Sequence, residues 1–172
     1  VAVVLSMFVI FQFTLAGNVF VLAASPVLSE AAVQPNGYLE FEFDAETGMI
    51  TAYNGSNVFV DIPDEIKGIK VTGIGANVFK DRNIVIVTIP DSVTVIREKA
   101  FSGCTQLSDV YLPNGLTYLG DEAFLGCSAL KSITIPEGVT CIFDGTFKNC
   151  TGLTQLTIPK GITYIGSFAF SG

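Results

Sequence analysis

The side chains best suited to chemistry in this 172-residue chain are four thiols, Cys104, Cys127, Cys141 and Cys150. Thiols can pair as disulfides, ligate a metal, or attack as thiolates when a neighbouring base or cation lowers their pKa. The chain contains no histidine, so the commonest general base and metal ligand is missing. That excludes Ser-His-Asp and Cys-His catalysis and mixed Cys/His zinc sites. No C-x-x-C pair occurs either. Cys104, Cys127 and Cys150 lie 23 residues apart, which puts them in neighbouring turns of a repeating structure. A Cys locked to a repeat reads first as a small buried hydrophobe, with a disulfide or a metal as the alternatives. Cys141 falls outside this series, in a column with Val95, Tyr118 and Tyr164.

The carboxylates offer less. The run Asp44-Ala45-Glu46-Thr47-Gly48 has the look of a calcium loop, but such loops need more oxygen ligands at fixed spacing and a closing Glu. A hairpin turn is the expected reading. Asp121 and Glu122 form an acidic pair that fits a solvated turn, with no second acid placed against it. Nine Lys and Arg against sixteen Asp and Glu give a net charge of −7. Without a basic run or stripe, nucleic acid is not an expected partner. No cofactor, metal or catalytic constellation is indicated, and the chain reads as a non-enzyme.

The elements that hold these residues follow from self-similarity. Phe recurs at Phe79, Phe101, Phe124, Phe147 and Phe170, at spacings of 22, 23, 23 and 23. Pro recurs at Pro90, Pro113, Pro136 and Pro159, in phase with the cysteines. In the unit LKSITIPEGVTCIFDGTFKNC, Leu130, Ile133 and Ile135 follow an L-x-x-L-x-L pattern. Residues two apart on a strand share a face, so Ile133 and Ile135 point inward while Ser132 and Thr134 point out. Pro136 ends the strand, Gly138 allows the turn, Val139 and Ile142 begin a second apolar stretch, and Phe147 fills the interior. One such unit cannot bury its apolar face alone, and stacking completes the core. The expected fold is a repeat solenoid: a curved parallel sheet of about five 23-residue units, with turns and short helical or second-strand pieces behind it. The first unit is degenerate. Its Ile62-Pro63 leads through extra residues, Glu65 to Lys70, to Val71-Thr72-Gly73-Ile74 and Phe79, and it lacks the Cys.

The motif Ile-Pro-x-x-Val-Thr-x-Ile-x-x-x-x-Phe-x-x-Cys-x-x-Leu resembles the BspA-like class of leucine-rich repeats, over about Asp61 to Gly172. The resemblance implies a leucine-rich-repeat solenoid in an exported or surface-attached protein. It also implies an adhesive role.

Four regions are expected. Residues 1–24 carry no charge and suit a signal peptide or an uncleaved membrane anchor. Residues 25–37 read as a linker, and residues 38–60 as a β-hairpin cap built from YLEFEF and a second run at Met49 to Tyr53. Residues 61–172 hold the repeats, the last one incomplete. The outward sheet positions are Ile86 and Thr88, Asp109 and Tyr111, Ser132 and Thr134, and Gln155 and Thr157. Of these, Asp109, Tyr111, Ser132, Thr134, Gln155 and Thr157 are the candidate ligand-binding residues of the concave face. The expected function is a secreted or cell-surface module that binds an extracellular protein or glycan there. It meets the membrane only through residues 1–24, if these are uncleaved. The alternative is a structural spacer within a larger envelope protein.

Overall fold

The computed structural model describes residues 40–172, together with β1 (Thr14–Leu15) and β2 (Asn18–Val19), which pair antiparallel. The signal or anchor expected at residues 1–24, apart from those two strands, and the linker expected at residues 25–37 lie outside the described residues. Among the described residues, no helix is long and apolar enough to cross a membrane.

The repeats build two parallel sheets. The front sheet contains β5 (Phe59–Asp61), β9 (Ile86–Thr88) and β11 (Asp109–Tyr111), in register one above the next. It continues with β13 (Ser132–Thr134) paired to β15 (Gln155–Thr157). The back sheet holds β8 (Gly73–Ile74), β10 (Val95–Ile96) and β12 (Tyr118–Leu119), followed by β14 (Cys141–Ile142) paired to β16 (Tyr164–Ile165). The second apolar stretch of each unit is therefore a strand, not a helix. Its two residues are too few for a helical turn, and they pair in parallel register with back strands of neighbouring units.

Ladder pairing is interrupted at one boundary in both sheets, between β11 and β13 in front and between β12 and β14 behind. The turn edge stays continuous there: the amides of Glu122, Phe124 and Gly126 donate to the carbonyls of Asp144, Thr146 and Lys148 at 2.8–2.9 Å.

Each unit turns in the same way. The amides of Val93, Leu116, Val139 and Ile162 donate to the carbonyls of Pro90, Pro113, Pro136 and Pro159, closing a tight turn after the front strand. Gly138 has another role than the turn conformation expected of it. A Cβ there would lie 2.7 Å from the Leu116 carbonyl oxygen, so the residue is small because the preceding unit is close. Two left-handed residues then flank each internal Phe. One column holds Asn77, Lys99, Glu122, Gly145 and Phe168, and the other includes Asp81, Gly103, Gly126 and Asn149, all at φ between 53° and 75°. Asn, Asp and Gly suit this conformation, whereas Lys, Glu and Phe adopt it at a cost of about 1–2 kcal/mol each.

The core is a column of aromatic rings. Phe79, Phe101, Phe124, Phe147 and Phe170 stack with centroids 5.0–5.7 Å apart and planes within 6°. Around them Leu130, Ile133, Ile135, Val139 and Ile142 are buried, as the pattern requires.

The expected hairpin forms from β3 (Phe41–Asp44) and β4 (Met49–Tyr53), with a bulge between Glu42 and Phe43. It caps the back sheet, since β4 pairs in parallel with β8. Tyr53 occupies the place of Phe in the column, 5.2 Å from Phe79, and Phe41 packs on Tyr53 at 5.1 Å. The Asp44–Gly48 segment is the hairpin turn: the Asp44 carboxylate accepts from the Glu46 amide at 2.9 Å and from the Thr47 hydroxyl at 2.8 Å. These bonds hold its carboxyl below the ordinary value.

The extra residues of the first unit are a second, small hairpin, β6 (Glu65–Ile66) and β7 (Ile69–Lys70). Its two-residue loop, Lys67-Gly68, has positive φ at both positions, the geometry favoured in tight hairpins. The front strand Phe59–Asp61 straddles the boundary expected between cap and repeats at residue 60.

Candidate functional site: the outward face of the front sheet

Alternation along each front strand decides which side chains reach solvent. The middle residues Val60, Val87, Val110 and Ile133 are buried, and their neighbours turn outward. The structure accordingly places Asp109, Tyr111, Ser132, Thr134, Gln155 and Thr157 on the exposed face. Ser132 stands in register with Gln155, and Thr134 with Thr157. Asp109 and Tyr111 belong to the three-strand part, in register with Ile86 and Thr88. Asp109 accepts a hydrogen bond from the Ser108 hydroxyl at 2.6 Å. Tyr111 is 75% exposed, more than any other large apolar side chain among the described residues.

Two outward residues escape the sequence reading. Phe59 and Asp61 lie beside Ile86 and Thr88 on β5, and Phe59 is 65% exposed. The signal was present: Val60-Asp61-Ile62-Pro63 matches Val87-Thr88-Ile89-Pro90. The small hairpin stretches the distance between those two prolines, so the 23-residue count fails to place the strand.

Two open hollows adjoin this end of the sheet, where the strands reach their prolines. One, of about 610 Å³, is lined by Pro63, Asp64, Glu65, Lys70, Asp91 and Ser92. The other, of about 380 Å³, shares Pro63, Asp64 and Asp91 and reaches Asp61 and Thr88. The back column is less free. Val95, Tyr118 and Cys141 are half-buried, and Phe143 packs between Tyr118 and Tyr164 at 5.3 and 6.3 Å.

The cysteines of the column are free, and each has a fixed partner. The thiols of Cys104, Cys127 and Cys150 donate to the carbonyls of Phe79, Phe101 and Phe124 at 3.0, 3.2 and 3.0 Å. Each bond joins one unit to the unit before it. Burial pushes the Cys104 thiol up to about 12 and Cys150 up to about 11, and raises Cys127 as well. A thiol held protonated is a poor nucleophile and a poor metal ligand. Among the described residues, no group of three or more His, Cys, Asp or Glu side chains is arranged to hold a metal.

In the first unit Arg82 stands where the later units have Cys. Its guanidinium donates to the Tyr53 carbonyl at 2.6 Å, the counterpart of the Cys-to-Phe bond. Asp121 is likewise structural, accepting from the Asp144 amide at 3.1 Å, and Asp144 accepts from the Ser167 amide at 2.7 Å. These groups join units to one another and assemble no nucleophile with a base.

Comparison with known proteins matches this architecture. The family model described as BspA type leucine-rich repeat region matches residues 72–172 in six copies. A leucine-rich cell surface protein of Faecalibacterium prausnitzii A2-165 is 31% identical with a TM-score of 0.58 over 77% of this chain, which spans 44% of that protein's length. A leucine-rich repeat protein of Bacteroides capillosus ATCC 29799 is 31% identical with a TM-score of 0.52, and the match covers 74% of this chain and 91% of that one. The leucine-rich repeat protein of T. pallidum shares the fold at 22% identity, with a TM-score of 0.53 over 77% of this chain and 85% of its own. A search of curated proteins returned no significant match. The 23-residue period, the Phe and Cys columns and these matches agree: the chain belongs to the BspA-type leucine-rich repeat family.

Proposed function

We propose that this protein is an extracytoplasmic recognition module that holds a protein or glycan partner against the outward face of its front sheet. The observation that carries the reading is the face itself. A stack of short strands presents Asp109, Tyr111, Ser132, Thr134, Gln155 and Thr157 to solvent, with an aromatic side chain 75% exposed. Exposed aromatics are costly to leave in water and are favoured anchors at interfaces. Hydroxyl and amide groups around them supply hydrogen bonds. Two features support placement outside the cytoplasm: the uncharged apolar run at residues 1–24, and the F. prausnitzii relative, itself a cell surface protein.

The test is retention of the purified chain on immobilised extracellular-matrix proteins and glycans, with folding checked by circular dichroism. Changing Asp109, Tyr111 and Gln155 together to Ala should abolish a saturable signal. A folded chain that binds nothing supports the spacer reading. A signal that survives the triple change moves the site off this face.

A further inference from the structure

Resting on the recognition reading above, we propose that the three-strand end of the front sheet docks a cationic polypeptide segment, one whose Lys or Arg residues alternate with apolar ones. The parallel register sets out the surface. Phe59, Ile86 and Asp109 form one row, and Asp61, Thr88 and Tyr111 form the next. Aromatic and carboxylate side chains therefore occupy alternate corners of a four-cornered platform, with Ile86 and Thr88 between them. Strand geometry makes the platform about 10 Å across and about 7 Å along. Phe59 and Tyr111 are two of the three most exposed large apolar side chains among the described residues.

The charges decide what covers them. Among the described residues the one salt bridge is Lys99 to Glu122, away from this surface, so neither Asp61 nor Asp109 has a cationic partner. The hollows beside Asp61 add Asp64, Glu65 and Asp91, against the single cation Lys70. The chain as a whole carries −7, which steers cations toward the platform and repels phosphate. An Arg or Lys head placed between a carboxylate corner and an aromatic corner gains an ion pair and a cation–π contact together. Its aliphatic stem lies on Ile86. A neutral sugar would use the aromatic corners and leave the unpaired carboxylates unexplained.

The probes are a short synthetic peptide alternating Arg with Val, its Glu counterpart, and a neutral polysaccharide, each titrated against the purified chain. The Arg peptide should bind, and raising salt from about 50 to about 300 mM should weaken it about tenfold or more. The paired change Asp61→Asn with Asp109→Asn should cost about tenfold in affinity, as should Phe59→Ser with Tyr111→Ser. Ser167→Ala, exposed in the turn after the back strand Tyr164–Ile165 and off this face, should change it less than about twofold. Binding of the Glu peptide as tightly as the Arg peptide overturns the proposal. So does binding of the polysaccharide alone, or of none of the three probes. Matrix-protein retention that is lost with the Asp109, Tyr111 and Gln155 triple change but indifferent to salt and to the Asn pair would sink this proposal and leave the recognition reading standing. Arg-peptide binding that none of the face variants alters would sink both.

Discussion

Each thiol of the cysteine column is a hydrogen-bond donor before it is a nucleophile. The unfolded thiol titrates near 8.5, while burial carries Cys104 to about 12 and Cys150 to about 11. The folded value is the higher, so the folded chain holds protons that the unfolded chain releases. Their contribution to stability is complete below about pH 8.5 and is lost as pH rises through the folded values. The urea midpoint should therefore fall between about pH 8 and about pH 10, and Cys104→Ala should flatten that fall relative to the parent. An unchanged slope in the variant would show that other groups carry it. Arg82 invites a sharper test. Removing its charged hydrogen bond to the Tyr53 carbonyl in Arg82→Ala should cost about 1.5–3 kcal/mol in urea unfolding. Arg82→Cys should recover part of that loss, because later units make the same bond with a thiol. Equal losses in the two variants would deny the equivalence.

Within a unit, glycines at different positions answer to different constraints, and alanine scanning should separate them. Gly126 has φ of 73° but open space, since a Cβ there meets nothing nearer than Gly103 at 4.0 Å. Gly126→Ala should cost about 1–2 kcal/mol through backbone conformation alone, and Gly126→Asn less. Gly138 has no such φ, yet its Cβ would lie 2.7 Å from a backbone oxygen, so Gly138→Ala must push two units apart. Gly115 occupies the equivalent place one unit earlier, with 3.5 Å of clearance. Gly115→Ala should be neutral or stabilising by about 0.5 kcal/mol, through the unfolded chain. Thermal midpoints of the four variants check this order. If Gly115→Ala falls as far as Gly138→Ala, the close-approach account of Gly138 is wrong.

Across the repeats, stability should be carried by the aromatic column, because it runs through every unit and through Tyr53 of the cap. Phe124 is fully buried between Phe101 and Phe147, whereas Phe170 is 38% exposed. Phe124→Ala should cost about 3–5 kcal/mol. Phe170→Ala should cost clearly less, since part of its ring is already in water. Since repeat arrays are joined only through nearest neighbours, the Phe124 variant should also broaden the urea transition into two steps. A single sharp transition at a modestly lower midpoint would place the main coupling in the sheets instead.

The sequence alone determined the period, the inward residues of the front strands from β9 onward, and the phenylalanine and cysteine columns. These depend on local patterns repeated at a fixed count, and a side chain's face follows from alternation within three residues. It also located the hairpin at Met49 to Tyr53 and the extra residues at Glu65 to Lys70, through turn chemistry and departure from the period. Tertiary structure alone decided that the second apolar stretch pairs as a strand, since two residues carry no periodicity of their own. It decided as well that Tyr53 and Arg82 stand in for Phe and Cys, because equivalence there lies in position across units and not in residue type. The same holds for Phe59 and Asp61. An inserted hairpin broke the count that would have aligned them, and only the ladder from β5 to β9 restored it.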